Sequence, residues 1–248
     1  MSDLSDLKIK IYSDGAALDD IKSLYQNSLI AGFTTNPTLM RAAKIDDYEA
    51  FALDVLAAVP NLPVSFEIFA DEFDEMVEQG LHIGSWSSNV NVKIPVVNTK
   101  GDFTGPVIER LCAAGIHINV TAVFTVDQVR AVARCLRPDI PAYISIFAGR
   151  IADSGIDPVP VVSEAVAIVR DLPKAELIWA SPREVYNIFH ADQAGCHIIT
   201  VTPNILAKLG LLNKDQDEYA LETAQMFFRD AREAGYKIIT RNRETVST

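Results

Sequence analysis

The stretch Val90-Asn91-Val92-Lys93-Ile94-Pro95-Val96 reads as a strand whose alternate residues are all aliphatic, interrupted by one lysine. Seven further apolar runs resemble it, at residues 7–14, 32–37, 63–69, 117–124, 143–149, 176–182 and 197–203. Most are rich in Val, Ile, Phe and Thr, as strands buried on both faces should be. Between them lie segments with helical spacing, at residues 21–25, 48–59, 73–81, 106–114, 126–137, 159–170, 182–191 and 204–209. Asp71 fits the N-cap of the third of these and Thr125 that of the fifth. Gly80, Gly115 and Gly195 stand where helices should stop. Strict alternation of strand and helix predicts a parallel sheet. Eight units in 248 residues predict a closed (β/α)8 TIM barrel, an α/β fold, rather than an open sheet.

The barrel is expected to occupy the chain as one domain, residues 1–248, with residues 214–248 as a C-terminal helix and tail. Residues 218–234 read as a long amphipathic helix with Phe227 and Phe228 side by side. That surface would either cap the barrel or pack on a neighbouring subunit.

Bulk properties narrow the function. Lys and Arg total 22 against 33 for Asp and Glu, a formal charge of −11 with no basic run. That argues against nucleic acid as a partner. An anionic substrate would need a few placed arginines or lysines. Residues 1–6 lack a basic, apolar leader pattern, and no stretch has the apolar length to span a bilayer. A cytoplasmic protein with no membrane partner is expected. Cys112, Cys135 and Cys196 are widely spaced, and the first two read as small apolar packing residues in a reducing compartment.

In such a barrel, chemistry sits at the C-terminal ends of the strands. The polar residues there are Asp14, Asn36, Glu67, Lys93, Asn119, Thr121, Ser145, Arg150, Ser181, Arg183 and Thr200. An ammonium among Val and Ile costs several kcal/mol unless it is paired or uncharged. Lys93 is therefore either one half of an ion pair or a nucleophile. Burial favours the neutral amine, and a neutral amine attacks a ketone to form an imine. Imine chemistry also needs groups that move protons, and Glu67 and Asp14 come from nearby strands. Glu67 lies between Phe66 and Ile68, so it must be paired or hydrogen-bonded. Arg150 and Arg183 end neighbouring strands, with Ser181 close by. They read as rim charges or as a phosphate cradle, since guanidinium forks match phosphate geometry. His82, His117, His190 and His197 show no metal-ligand spacing, and there is no dinucleotide, P-loop or nucleophile-elbow motif.

Taken in order, Asp14-Gly15, Thr34-Thr35-Asn36-Pro37-Thr38, Glu67, Val92-Lys93-Ile94-Pro95, Asn119-Val120-Thr121, Phe147-Ala148-Gly149-Arg150-Ile151 and Ala180-Ser181-Pro182-Arg183 resemble the transaldolases. The similarity is closest to the short class, which includes the fructose-6-phosphate aldolases, and runs from about residue 8 to about residue 235. The resemblance implies a class I aldolase-type barrel of pentose phosphate metabolism, with no metal or other cofactor. Lys93 would form the imine with a ketose donor. Glu67 would be the general acid/base, through a water that Thr121 helps to hold. Asp14 would take the hydroxyl proton as the C–C bond breaks. Asn36, Asn119 and Ser145 would hold the dihydroxyacetone end, and Arg150, Ser181 and Arg183 the sugar phosphate.

Transaldolases carry Glu and Phe at the positions of Glu67 and Phe147, where the aldolases carry Gln and Tyr. The resemblance thus implies transfer of a dihydroxyacetone unit from sedoheptulose 7-phosphate or fructose 6-phosphate to an aldose phosphate. It also implies a homo-oligomer. Three segments depart from the family pattern: Ser13-Asp14-Gly15-Ala16, Ser181-Pro182-Arg183-Glu184 and residues 97–102. They border the substrate and leave the choice of sugars open. Two other readings stand beside the transferase: an aldolase that releases dihydroxyacetone, and a non-catalytic barrel that binds phosphosugars.

Overall fold

The computed structural model describes Leu4 and residues 7–238. Eight parallel strands, β1 (Lys10–Asp14), β2 (Ile30–Thr34), β3 (Val64–Glu67), β4 (Val90–Pro95), β5 (Ile118–Val123), β6 (Ala142–Ile146), β7 (Ala175–Trp179) and β8 (Ile198–Val201), close into a barrel in sequence order. The helices are α1 (Leu18–Tyr25), α2 (Pro37–Ala42), α3 (Tyr48–Ala58), α4 (Phe73–Gly84), α5 (Gly105–Ala113), α6 (Val126–Cys135), α7 (Ala148–Asp153), α8 (Pro158–Val169), α9 (Tyr186–Gln193), α10 (Pro203–Leu206) and α11 (Gln216–Glu233). The TIM barrel expected from the alternation is therefore present. No helix among the described residues is long and apolar enough to cross a membrane.

The strand period of two separates a packing face from an interior face. On β4, Val90, Val92 and Ile94 join the large core under the helices. Lys93 lies between them and so faces the barrel interior, in register with Glu67 on β3 and Asn119 on β5. One layer lower, Tyr12, Tyr143, Ile178 and Ile198 form a separate cluster that fills the barrel. The Tyr12 and Tyr143 rings meet edge-on, and their hydroxyls are 2.9 Å apart. This plug gives the layer above it a solid floor.

The structure amends several local expectations. Thr125 caps α6 through a full capping box with Gln128. Asp71 does not cap α4: its carboxylate accepts from the Thr99 main-chain and side-chain donors instead, and Glu72 holds the cap position. Gly115 and Gly195 do stand just past helix ends, at positive φ (78° and 75°). Gly80 lies inside α4, where its bare Cα meets Leu111. The expected start of α9 at residue 182 shifts to Tyr186: Ser181 is left-handed (φ 62°), and the Arg183 and Glu184 amides donate to the Asn187 side chain. Two short helices escaped the periodicity: α2 and α7, which directly succeed β2 and β6. Six residues are too few to show a helical period.

The chain divides into two compact units at Leu209/Gly210. The barrel is one. The other contains α11, capped by Asp215, whose carboxylate accepts from the Asp217 and Glu218 amides. Lys214 pairs with Glu222 within this unit. The N-terminal stretch expected to lack a leader (apart from Leu4) and the end of the tail, residues 239–248, lie outside the described residues.

Candidate active site

A cavity of about 460 Å³ opens at the C-terminal ends of the strands. Its walls include Asp14, Asn36, Glu67, Lys93, Thr121, Ser145, Phe147, Arg150, Ser181 and Arg183. Of the residues singled out from the sequence, only Asn119 is missing from the lining.

Lys93 is 6% exposed, so its ammonium must find partners inside the protein. Its Nζ donates to the Thr35 main-chain carbonyl at 2.7 Å and lies 3.1 Å from Glu67 Oε2. The ion-pair alternative is thus realised, and the amine still lines the cavity. Glu67 is held in turn by its position at the last residue of β3.

Asp14, half-buried at the end of β1, accepts from Thr34 Oγ1 at 2.8 Å, with Asn36 Nδ2 3.3 Å from its other oxygen. Thr34 Oγ1 is also 2.6 Å from Thr200 Oγ1. A hydroxyl has one proton, so when Thr34 donates to Asp14, Thr200 donates to Thr34. The chain of donors runs from β8 through β2 to β1. Asn36 uses its other end to cap α2, accepting from the Leu39 amide.

Desolvation pushes the Asp14 carboxyl above its ordinary range, against the opposing pull of Lys93, Thr34 and Asn36. A raised carboxylate is a stronger base. Linkage gives the sign for stability. The contribution of Asp14 is fully present below its unfolded pKa and is lost as pH rises through the higher folded value. At neutral pH the charged group therefore opposes folding. Asp14→Asn should raise stability at pH 7 by about 0.5–2 kcal/mol while lowering activity. The gain should vanish near about pH 3, where the wild-type carboxyl is protonated in both states. Denaturant titrations at the two pH values measure this, and a destabilised variant at pH 7 would refute it.

The two arginines share one rim. The Arg183 guanidinium already holds Asp153 through Nε and Nη2. This fork keeps the Asp153 carboxyl below its usual range. Among the described residues, Nη1 of Arg183 has no hydrogen-bond partner. Arg150 lies over the Phe147 ring, 5.4 Å from its centroid. The rim backbone is unusually close: a Cβ on Gly149 would stand 1.6 Å from the Ser181 carbonyl oxygen. Only glycine lets β6 and β7 deliver Arg150 and Ser181 to the same place. Ala122, next to Thr121, also has a left-handed φ (57°), within a register shift of β5 against β6. Such a bulge re-aims a side chain at the end of a strand.

Asn119, in register with Lys93, is wholly buried. Its amide donates to Ser65 Oγ at 3.1 Å and its oxygen accepts from Ser145 Oγ at 2.7 Å. In this arrangement it holds Ser145, which lines the cavity. The sequence reading gave no role to Thr34, Thr200 or Asp153. A signal for Thr200 exists, since it is the one polar residue in Ile198-Ile199-Thr200-Val201. Asp153 gives none, being one of many acidic residues on exposed helix ends.

Known proteins share this arrangement of strands. The model of the family described as Transaldolase/Fructose-6-phosphate aldolase matches residues 11–245. A "Probable transaldolase" from Dehalococcoides mccartyi is 31% identical over 202 residues, covering 81% of this chain and 90% of that one. A "Probable transaldolase 2" from Listeria monocytogenes is 34% identical, covering 81% and 88%. Among solved structures, a lyase/mutase candidate from Burkholderia cenocepacia superposes with a TM-score of 0.57 at 13% identity, covering 94% of this chain and 86% of that one, which speaks to the fold alone. The family match spans the strands that bring Lys93, Glu67 and Asp14 into one cavity, so the chain belongs to the transaldolase/fructose-6-phosphate aldolase family.

Proposed function

We propose that the protein is a transaldolase that moves a dihydroxyacetone unit between sugar phosphates through an imine on Lys93. The observation that carries this reading is the placement of Lys93 Nζ 3.1 Å from Glu67 Oε2 in a cavity that Asp14 also lines. In this mechanism the Lys93 amine attacks the C2 ketone of the donor. Glu67 supplies the proton that lets the C2 oxygen leave as water, giving the imine. Asp14 takes the C4 hydroxyl proton as the C3–C4 bond breaks, releasing the shorter aldose. The electron pair of that bond is held as an enamine on Lys93. An acceptor aldehyde then takes the pair, its oxygen receiving the proton held by Asp14, and water returned through Glu67 hydrolyses the new imine. Thr121 holds that water, while Asn36 and Ser145, the latter steadied by Asn119, orient the dihydroxyacetone hydroxyls. Arg150, Ser181 and the open edge of Arg183 take the phosphate.

Phe147 favours transfer over release. It gives the cavity an apolar wall where a tyrosine would offer a hydroxyl to the hydrolytic water, so the enamine waits for an acceptor. The protein is incubated with fructose 6-phosphate, with and without erythrose 4-phosphate. Sedoheptulose 7-phosphate should form only when the acceptor is present. Equal turnover without acceptor would establish the aldolase instead.

The phosphate role has its own test. A charge-assisted contact contributes about 1.5–3 kcal/mol, so Arg183→Ala should raise KM for fructose 6-phosphate about 10- to 150-fold. KM for unphosphorylated fructose should change little. Equal effects on both sugars would remove Arg183 from the phosphate site. The homo-oligomeric state and cytoplasmic location expected from the sequence belong to this same reading.

A further inference from the structure

We propose that Tyr48 is a positioning residue for Glu67, acting through the hydrogen bond from its hydroxyl to the Glu67 main-chain carbonyl. The proposal rests on the reading of Glu67 as the acid/base.

The reason lies in the ladder between β2 and β3. In a parallel pair, one strand donates to the other at every second residue. Here the Phe33 N–H donates to the Pro63 carbonyl at 2.9 Å and the Thr35 N–H to the Ser65 carbonyl at 3.2 Å. The next step in the series is residue 37 to Glu67. Residue 37 is proline, which has no N–H. Pro37 has its own use, since it begins α2 directly after the Asn36 cap. Starting α2 there leaves Asn36 on the cavity wall and removes the ladder bond that would have fixed the end of β3.

Tyr48 supplies the missing donor. Its hydroxyl reaches the Glu67 carbonyl at 2.8 Å from the first turn of α3. Its ring is held by Phe69 (centroids 4.6 Å apart), Trp86 (5.8 Å) and Phe66 (6.2 Å). Burial pushes the hydroxyl well above its ordinary range, so it stays a donor throughout the working pH range. On the other side of β3, the Ile68 N–H is tied to the Lys93 carbonyl at 3.1 Å. The Glu67 peptide is thus clamped from both sides, one clamp being a side chain. Without the hydroxyl, this last peptide of the strand can rotate, and the carboxylate loses its alignment with Lys93 Nζ.

Three variants and one combination test this: Tyr48→Phe, Trp86→Phe, Glu67→Gln and the Tyr48→Phe/Glu67→Gln double variant, assayed with fructose 6-phosphate and erythrose 4-phosphate. Tyr48→Phe removes only the hydroxyl and keeps the ring packing. Its kcat should fall about five- to tenfold, as one lost hydrogen bond warrants, with KM changed less than about twofold. In the Glu67→Gln background the same change should cost almost nothing, because the group being positioned is already gone. Trp86→Phe keeps an aromatic neighbour for Tyr48 and leaves its hydroxyl in place, so kcat should stay near the wild-type value.

An unchanged kcat in Tyr48→Phe overturns the proposal. So does a loss that multiplies in full onto Glu67→Gln, or an equal loss in Trp86→Phe. The Glu67 side-chain carboxyl signal in carbon-labelled NMR reads the same alignment without turnover: it should move in Tyr48→Phe, and an unmoved signal also overturns the proposal. A wild-type protein that turns over no donor would refute the transaldolase reading, while the NMR comparison would still decide whether Tyr48 orients Glu67.

Discussion

Alanine at position 93 should leave a folded barrel that traps no sugar under borohydride and turns over no donor. Wild-type protein incubated with fructose 6-phosphate and borohydride should gain one reduced dihydroxyacetone fragment, found on Lys93 by mass spectrometry. Lys93→Ala should gain none, and its turnover should fall roughly 10⁴-fold or more, as removal of a covalent nucleophile does. Folding should survive. Lys93 sits in the cavity wall, and truncating it leaves Glu67 unpaired but still 19% exposed at its side chain, within reach of water. The same cavity in a purely binding protein would have no need of an amine that reacts. A wild-type protein that carries no fragment after reduction would therefore sink the catalytic reading and favour the phosphosugar-binding barrel.

Glutamine at position 67 should separate imine formation from the steps around it. The side chain keeps its size and one carbonyl oxygen for Lys93, so the fragment should still be trapped, more slowly. General acid/base assistance contributes about 10²- to 10⁴-fold, and kcat for transfer should fall by about 10²- to 10³-fold. KM should move far less, because the group acts on protons in the transition state rather than on the bound sugar. If transfer proceeds at the wild-type rate in Glu67→Gln, the acid/base must be another residue, with Asp14 the one other carboxylate in the described cavity lining. The two variants make a pair: one abolishes the covalent step, and the other preserves it while slowing the proton transfers of imine formation and hydrolysis.

These expectations depend on how the barrel places its polar groups. Lys93, Asp14 and Glu67 all lie at or near strand ends, above the Tyr12–Tyr143 plug. In this layer, charges are balanced against one another: Lys93 by Glu67, with Asp14 in the same cavity and raised by burial. The arginines stand at the rim, where a chain of net charge −11 offers no general attraction to a phosphate. Arg183 carries its own counter-ion in Asp153, so a phosphate must compete for it or use the remaining edge.

Much of this was legible in the chain. Hydrophobic periodicity is a local property, and the eight alternations gave the barrel without any knowledge of contacts. The period of two then placed Lys93 on the opposite face from Val92 and Ile94. The rule that barrel chemistry lies at the C-terminal strand ends selected Asp14, Glu67, Arg150 and Arg183 before their geometry was known. Short and irregular features were not legible. α2 and α7 are too brief to show a period, and the left-handed backbone at Ser181 and Ala122 falls on residues with no Gly or Asn to mark it.

What the sequence determined by itself is the order of the eight strands and the polar side chains at their C-terminal ends, including Lys93. Only the tertiary structure decided what each of them touches. Thr200 reaches Thr34, and through it Asp14, because closure brings β8 against β1. Asp153 reaches Arg183, and Tyr48 reaches the carbonyl left open by Pro37, across loops whose shapes no pattern encodes. The physical reason is range. Burial of an alternating strand is set by its immediate neighbours in sequence, whereas a hydrogen bond or ion pair needs two groups brought within about 3 Å, and chain closure alone does that.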